Sequence, residues 1–415
     1  MLYTINRLAV AGLLLTLNFA AAQSNNQTSS PYSLFGLGSL NEANAGKTNA
    51  LGKSGSALSG ETAINNLNPA AYADIHFHSF MFDIGAKGQR DTYANARDQN
   101  VHTTSNFSNI SIALAFSEKS GIGLTMNPYS DVGYYLQGVT GTIEGSAQTY
   151  KSDITGSGGL NNVVLNYGRK LSPKFNIGIN GMYYFGKINE TELITLDNDY
   201  LNVTELNYYK GVRVGVGMQY KINDKLTLSS VATAPATLKG SQDRSVYKNV
   251  DYLTSTVETT TNRIAGFKLP AEIVVGVKYS FLPTLTFNAD YKRTFWDAAH
   301  MKDNIGTFTD QDFVGMGLEY FGNKPRADYL GRIKYRLGYN ADNGYLEVND
   351  TRIKNFAVTS GLGLPLSIRG GSFINVSYSY GQRGLISNTL VKEKYHLVTV
   401  NISLEDIWFI KRKYE

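Results

Sequence analysis

Three cations stand at every second position, Arg332, Lys334 and Arg336, with Ile333, Tyr335 and Leu337 between them. Successive side chains of an extended chain point to opposite faces, so in a strand of a closed sheet this spacing would aim all three charges into the lumen. A basic ladder of that kind could hold a carboxylate. It could equally pair with lumen or N-terminal acids such as Glu272, Asp290, Glu319, Glu61 or Asp74, as buried charges usually do. His76 and His78 would share one strand face, but two imidazoles are an incomplete zinc set and no third ligand follows from the spacing. His102, His300 and His396 suggest no nucleophile and base that meet in space. Gly156-Ser157-Gly158-Gly159 and Gly370-Gly371 lack the Lys-Ser or Lys-Thr and the helix of a phosphate loop. The expectation is no enzyme, no cofactor and no metal.

The elements that must carry these residues are strands. Tyr 28, Phe 19 and Gly 41 accompany only 9 Pro and no Cys in 415 residues, a composition that favours strands over helices. After the N-terminus no apolar run approaches the ~20 residues of a membrane helix. The net charge of +5 is scattered singly, which argues against nucleic acid as a partner. Residues 1–22 carry Arg7, an apolar core from Leu8 to Leu17 and Ala20-Ala21-Ala22, the pattern of a secretory signal peptide.

From residue 75 to 408 period-two alternation recurs in segments of ten to fifteen residues. Val212, Val214, Val216, Met218 and Tyr220 alternate with Arg213, Gly215, Gly217, Gln219 and Lys221, and Ile273 to Phe281 and Val398 to Leu404 behave alike. Short turns such as Ser172-Pro173-Lys174 alternate with polar loops of roughly ten to thirty residues, the rhythm of a transmembrane antiparallel up-and-down β-barrel. About fourteen strands are expected, the third near 120–138, the seventh near 225–239 and the eleventh near 327–341. Tyr134, Tyr135, Tyr183, Tyr184, Tyr208, Tyr209, Trp296 and Trp408 lie towards strand ends, where rings sit at headgroup level. An even strand number leaves 409–415, with Lys411-Arg412-Lys413, as a periplasmic tail.

Residues 23–74 have no sustained strand pattern, yet they hold Pro31-Tyr32-Ser33-Leu34-Phe35 and Asn65-Asn66-Leu67-Asn68-Pro69-Ala70. Small residues interrupted by aromatics predict a compact plug, or hatch, in place of a flexible leader. In the third strand Pro128, between Asn127 and Tyr129, cannot donate to the ladder, which predicts either a gap in the wall or a rim bulge. Pro235 predicts a bulge in the seventh.

Asn68-Pro69-Ala70 ahead of the first strand, the proline-interrupted third strand, Thr233-Ala234-Pro235-Ala236-Thr237-Leu238-Lys239-Gly240 and Leu269-Pro270-Ala271-Glu272 resemble the outer-membrane long-chain fatty-acid and aromatic-hydrocarbon transporter (FadL-like) family. Gly158-Gly159-Leu160, Asp290-Tyr291-Lys292 through Trp296, and Gly361-Leu362-Gly363-Leu364-Pro365 extend the resemblance over nearly all of the mature chain. The resemblance implies a fourteen-stranded barrel in the outer membrane of a Gram-negative cell, surrounded by its lipid. Asn68, Pro69 and Ala70 would be the hatch element, and Asn127, Pro128 and Tyr129 the wall kink through which a small hydrophobic ligand exits sideways. The expected function is passive diffusion of such molecules. The alternative is a transporter-like barrel serving, with protein partners, as a non-transporting accessory subunit of an outer-membrane secretion or assembly complex. The chain departs from the family in ending Tyr414-Glu415 and in offering no long amphipathic outer pair for ligand capture.

Overall fold

The computed structural model describes residues 28–250, 253–301, 306–322, 329–366, 371–387 and 390–407. The expected signal peptide at 1–22, Trp408 and the expected periplasmic tail at 409–415 lie outside the described residues. Fourteen antiparallel strands form a closed barrel. They are β1 (Ser79–Ala94), β2 (Gln99–Ser117), β3 (Ser120–Thr142), β4 (Thr149–Ser172), β5 (Phe175–Leu196), β6 (Asp199–Lys221), β7 (Leu226–Thr233 and Ala236–Val250), β8 (Leu253–Leu269 and Glu272–Leu282), β9 (Leu285–Thr294), β10 (Gln311–Phe321), β11 (Lys334–Asp342), β12 (Asn355–Pro365), β13 (Phe373–Arg383) and β14 (Lys392–Ile407). The barrel closes where β1 pairs with β14 from Ser79↔Ile407 to Ala94↔Lys392.

The alternation read in β6 has its expected cause. Val212, Val214, Val216, Met218 and Tyr220 are exposed on the outer face, while Arg213 and Gln219 are buried inside. An apolar exterior over a polar interior is the inverse of a soluble protein and the pattern of a wall facing lipid.

The structure corrects three expectations. The adjacent tyrosines do not all belong to a headgroup girdle, because neighbours in a strand face opposite ways. Tyr135, Tyr183 and Tyr208 are exposed, whereas Tyr134 and Tyr184 are buried inside and Tyr209 packs beside them. Trp296 is 1% exposed and stacks on Tyr345 at 5.6 Å. Second, several outer loops are continuations of strands: β5 and β6 pair out to Leu196↔Asp199, and β7 and β8 out to Val250↔Leu253. Both faces of these extensions meet water, so they lack the apolar alternation that reveals the membrane-crossing parts. Third, β11 begins at Lys334, and Arg332 lies in the preceding one-turn 3-10 segment Tyr329–Arg332. Of its two neighbours, β10 ends at Phe321, opposite Lys334, so on that side the ladder stops there.

The N-terminal segment 28–78 runs against the inner face. Ser30 Oγ donates to Glu393 of β14, Gly52 N to Thr359 Oγ1 of β12 at 3.0 Å, and Ser56 N to Asp290 Oδ2 of β9 at 2.9 Å. Gly46 lies against Asp83 of β1 and Ser403 of β14, beside the closing seam. Three short 3-10 segments, Pro31–Leu34, Gly46–Ala50 and Pro69–Asp74, punctuate it.

Candidate functional site: the lumen and the wall gap

Asn68-Pro69-Ala70 forms a helix start. Asn68, fully buried, accepts a hydrogen bond from Ala70 N at 2.9 Å on Oδ1, and proline at the next position has the φ a helical turn needs and no N–H to satisfy. Asn68 Nδ2 donates to Ser56 O at 3.0 Å and to Met218 O of β6 at 3.1 Å. The wall accepts this turn because it has no side chains there. Gly121, Gly168, Gly178 and Gly217 are mutual register partners across β3, β4, β5 and β6. A Cβ on Gly178 would overlap Pro69, one on Gly217 would overlap Asn68, one on Gly168 would press on Ala73, and one on Gly121 would overlap Tyr72. Asp74 closes the turn with ion pairs to Lys221 at 3.0 Å and Lys170 at 3.3 Å. Burial alone would raise the Asp74 carboxyl, but these lysines hold it below its ordinary range.

The outer half of the lumen is apolar. Tyr32, Phe35 and Leu37 of the N-terminal segment pack with Tyr134, Tyr184, Phe267, Trp296 and Phe308, and Leu346, Val348 and Ile353 close over them. Tyr32 Oη donates to Val391 O at 2.6 Å, and burial pushes its phenol up to about 12.

Between this cluster and the Pro69–Asp74 turn lies a cavity of about 220 Å³, lined by Tyr129, Tyr184 and Trp296 but also by Glu42, Lys53, Arg213, Glu272, Lys292 and Arg383. Lys292 Nζ donates to both Glu42 oxygens at 2.6 and 2.7 Å. Burial alone would raise Glu42, yet Lys292 and then Lys53 hold it below the ordinary carboxylate range. Of the predicted lumen cations, Arg336 is buried, donating to Glu319 Oε2 at 2.6 Å and Asn375 Oδ1 at 2.7 Å. Lys334 sits 4.4 Å over the ring of Phe373, and Arg332, outside the strand, lies over Tyr329 at 5.6 Å. Of the acids named as partners, Glu319 takes Arg336, Asp290 takes Gly55 and Ser56, and Glu61 is exposed. His76 and His78 occupy the turn before β1, where Ser79 N donates to His76 O, so they share no strand face.

The wall opens beside Pro128. Pairing of β2 with β3 stops at Ile110↔Met126, two residues short of it. Beyond that point β2 pairs only with β1, and β3 pairs with β4 through a bulge between Pro128 and Ser130. The free edge of β3 receives the N-terminal segment instead: Ser39 and Leu40 pair with Asp131 and Ser130, and Asn41 N donates to Tyr129 O at 2.8 Å. Asp131 holds the gap together, accepting from Asn41 Nδ2 at 2.8 Å, Lys87 Nζ at 3.1 Å and Asn106 Nδ2 at 3.3 Å. Asn127 Nδ2 donates to Asn162 Oδ1 at 2.7 Å, and Tyr129 meets Tyr184 edge to face at 4.7 Å. A second cavity of about 130 Å³ reaches the gap, and Lys87, Asn106, Ser108, Pro128 and Asp131 are among its lining residues.

Sequence reasoning missed Arg213. The wall breaks a second time where β7 pauses at Ala234-Pro235 and β8 at Pro270-Ala271, side by side. Arg213 Nε donates to Ala234 O at 2.8 Å, Nη2 to Pro270 O, and Nη1 to Glu272 Oε1 at 2.9 Å. One planar fork thus satisfies the carbonyls that two prolines strand. The available signal was an arginine on the glycine-rich face of β6, facing two X-Pro breaks.

The BamG family model matches residues 4–415. No curated protein sequence matches the chain. Among solved structures, the Pseudomonas putida toluene transporter TodX aligns at 15% identity and TM-score 0.64, covering 89% of this chain and 99% of that one. The Ralstonia pickettii toluene transporter TbuX aligns at 15% and 0.59 (87% and 98%), and a Pseudomonas aeruginosa FadL homologue at 12% and 0.56 (89% and 98%). At these identities the likeness is one of fold, a closed antiparallel β-barrel like that of those transporters.

Proposed function

The chain belongs to the BamG family, BamA-associated transporter-like barrels, and from that membership we propose that it is a non-transporting accessory subunit of an outer-membrane protein assembly complex. One observation carries this reading: the route that a hydrocarbon would follow is obstructed and charged. A toluene-sized guest gains its binding energy from apolar surface. Here the apolar part of the lumen is filled by the protein's own Tyr32, Phe35 and Phe308, and the open part sets Glu42, Lys292, Lys53 and Arg383 among Tyr129, Tyr184 and Trp296. Charged groups already buried and paired on that lining, such as Glu42 with Lys292, give an apolar guest little surface to bury against. In this reading the Asn68-Pro69-Ala70 turn is a permanent hatch, Arg336 is a structural cation, and the exterior and outer surfaces do the work.

The second reading, passive diffusion of small hydrophobic molecules with a lateral exit at the third strand, is favoured by the wall gap at Asn127-Pro128-Tyr129. Its polar rim of Lys87, Asn106 and Asp131 fits that role poorly. Gentle extraction of the tagged chain from its own outer membrane followed by native mass spectrometry tests the choice. Stoichiometric protein companions are expected; a lone barrel carrying a hydrophobic passenger, with uptake that falls in Pro128→Val, would overturn the accessory reading.

A further inference from the structure

In their outer parts β3 to β8 form an open six-stranded sheet, because the ladder from β3 to β8 is continuous while the β3 flank pairs only with Ser39 and Leu40 and the β8 flank with no strand among the described residues. On the β8 flank the reason is the proline break. The inner segment Glu272–Leu282 pairs with β7 on one side and β9 on the other. The outer segment Leu253–Leu269, 17 residues long, pairs only with Ala236–Val250. β9 stops at Thr294, opposite Glu272, so it cannot follow β8 outward. Among the described residues no other strand or loop backbone bonds to this edge.

An unpaired strand leaves a row of N–H and C=O groups that another strand can complete, and proteins usually blunt such edges. This one is blunted by bulges at its ends and, within, only by Glu258, paired with Arg244 at 3.2 Å, and Arg263. Bulges between Thr256 and Glu258 and between Ile264 and Phe267 bracket a regular run, Glu258–Ile264, with Thr259, Thr260 and Thr261 at its centre and no Pro or Lys. Thr259, Thr261, Asn262 and Arg263 are exposed. β-Branched threonines suit a pairing strand and keep it soluble while it is unpaired.

We propose that the outer edge of β8, centred on Glu258–Ile264, is a docking strand that binds an extended segment of a different protein by β-augmentation. The backbone row selects the occupant's conformation, since only an extended chain can satisfy alternating donors and acceptors over seven residues. Membrane orientation disfavours self-pairing through this edge. Two copies held the same way up would bring identical edges together running in the same direction, with N–H opposite N–H, whereas the antiparallel pairing would need one copy inverted.

This inference rests on the accessory-subunit reading, and its test separates the two. A photo-crosslinking residue is placed singly at Thr259, at Thr261 and, as a control, at lipid-facing Val216 in the full chain in its own cells. Thr259 and Thr261 should each yield one discrete adduct with the same protein, and Val216 none. Thr259→Pro and Thr260→Pro, made separately, place the missing N–H on opposite edges; the one that strips the outer edge should lower the co-purified partner at least tenfold while the barrel stays heat-modifiable on gels. A partner that co-purifies with the unaltered chain but crosslinks at neither threonine would sink the docking strand and leave the accessory reading standing. Absence of any co-purified partner would sink both. An adduct at twice the chain's own mass would replace the foreign strand with a second copy paired head to tail.

Discussion

The inner and outer parts of the wall handle the same N-terminal segment in opposite ways. Inside, a row of four glycines strips the wall to backbone so that Pro69–Asp74 lies flush on an unbroken sheet, fixed by Asn68 and by Asp74 between two lysines. Outside, the sheet itself is interrupted, and the segment becomes part of the wall, Ser39 and Leu40 pairing with β3 where β2 has left it. The inner arrangement depends on the absence of side chains; the outer depends on polar side chains, Asp131 above all, spanning what backbone pairing no longer covers. Tight backbone contact makes for a seal, whereas bridging side chains make for a joint that can part.

The strongest way to break the inner seal is to restore a side chain. Gly178→Leu would drive its side chain into Pro69, and overpacking of this kind costs about 3 kcal/mol. The turn should leave the wall, seen as new protease cleavage between residues 55 and 78 and a rise in single-channel conductance; unchanged protection would mean that the glycine row does not seat it. Next in size is Arg213→Met, which leaves the carbonyls of Ala234 and Pro270 unpaired and Glu272 alone. About 3 kcal/mol of stability should be lost, read as an earlier heat-induced gel shift, with Arg213→Lys recovering only part because it cannot present a fork. Asp131→Ala, at about 1 kcal/mol, tests the joint. Hydrogen exchange should quicken at residues 39–41 and 129–131 and stay unchanged at 68–74; equal change in both would erase the distinction between seal and joint.

The smallest effect concerns pH. Burial pulls Lys47 from 10.5 down to about 8, with Glu319 opposing the shift. Between those values the unfolded chain binds a proton that the folded chain does not, so stability should rise as pH increases from 8 to 10.5. Lys47→Met should flatten that slope in thermal melts, and a slope that persists would assign it to another group.

Fourteen strands and an apolar exterior were legible because lipid on one side and protein on the other impose a period of two, as Val212 to Tyr220 display. The outer continuations of β5 to β8 were not, because water on both sides imposes no period. Tyr134 and Tyr135 could not be sorted until a strand register assigned each a face. Arg332 continued an alternation past the point where β10 could pair with it. The candidate hatch and kink residues stood out through proline and its neighbours. Their partners did not: the glycine row exists only once four strands are in register, and Arg213 acquires its task only when two separate X-Pro breaks are brought side by side.

The closing seam has a consequence for timing. Asp83 of β1 accepts from Asn109 Nδ2 at 2.6 Å and from Asn401 Nδ2 of β14 at 2.9 Å, across 318 positions of sequence, and Asn49 reaches Asn401 at 3.5 Å. The contacts of Asp83 and Asn49 with Asn401 therefore form only when the last strand has arrived. Contacts so distant in sequence form late and slowly, and until they form, the seam edges of β1 and β14 have no partner.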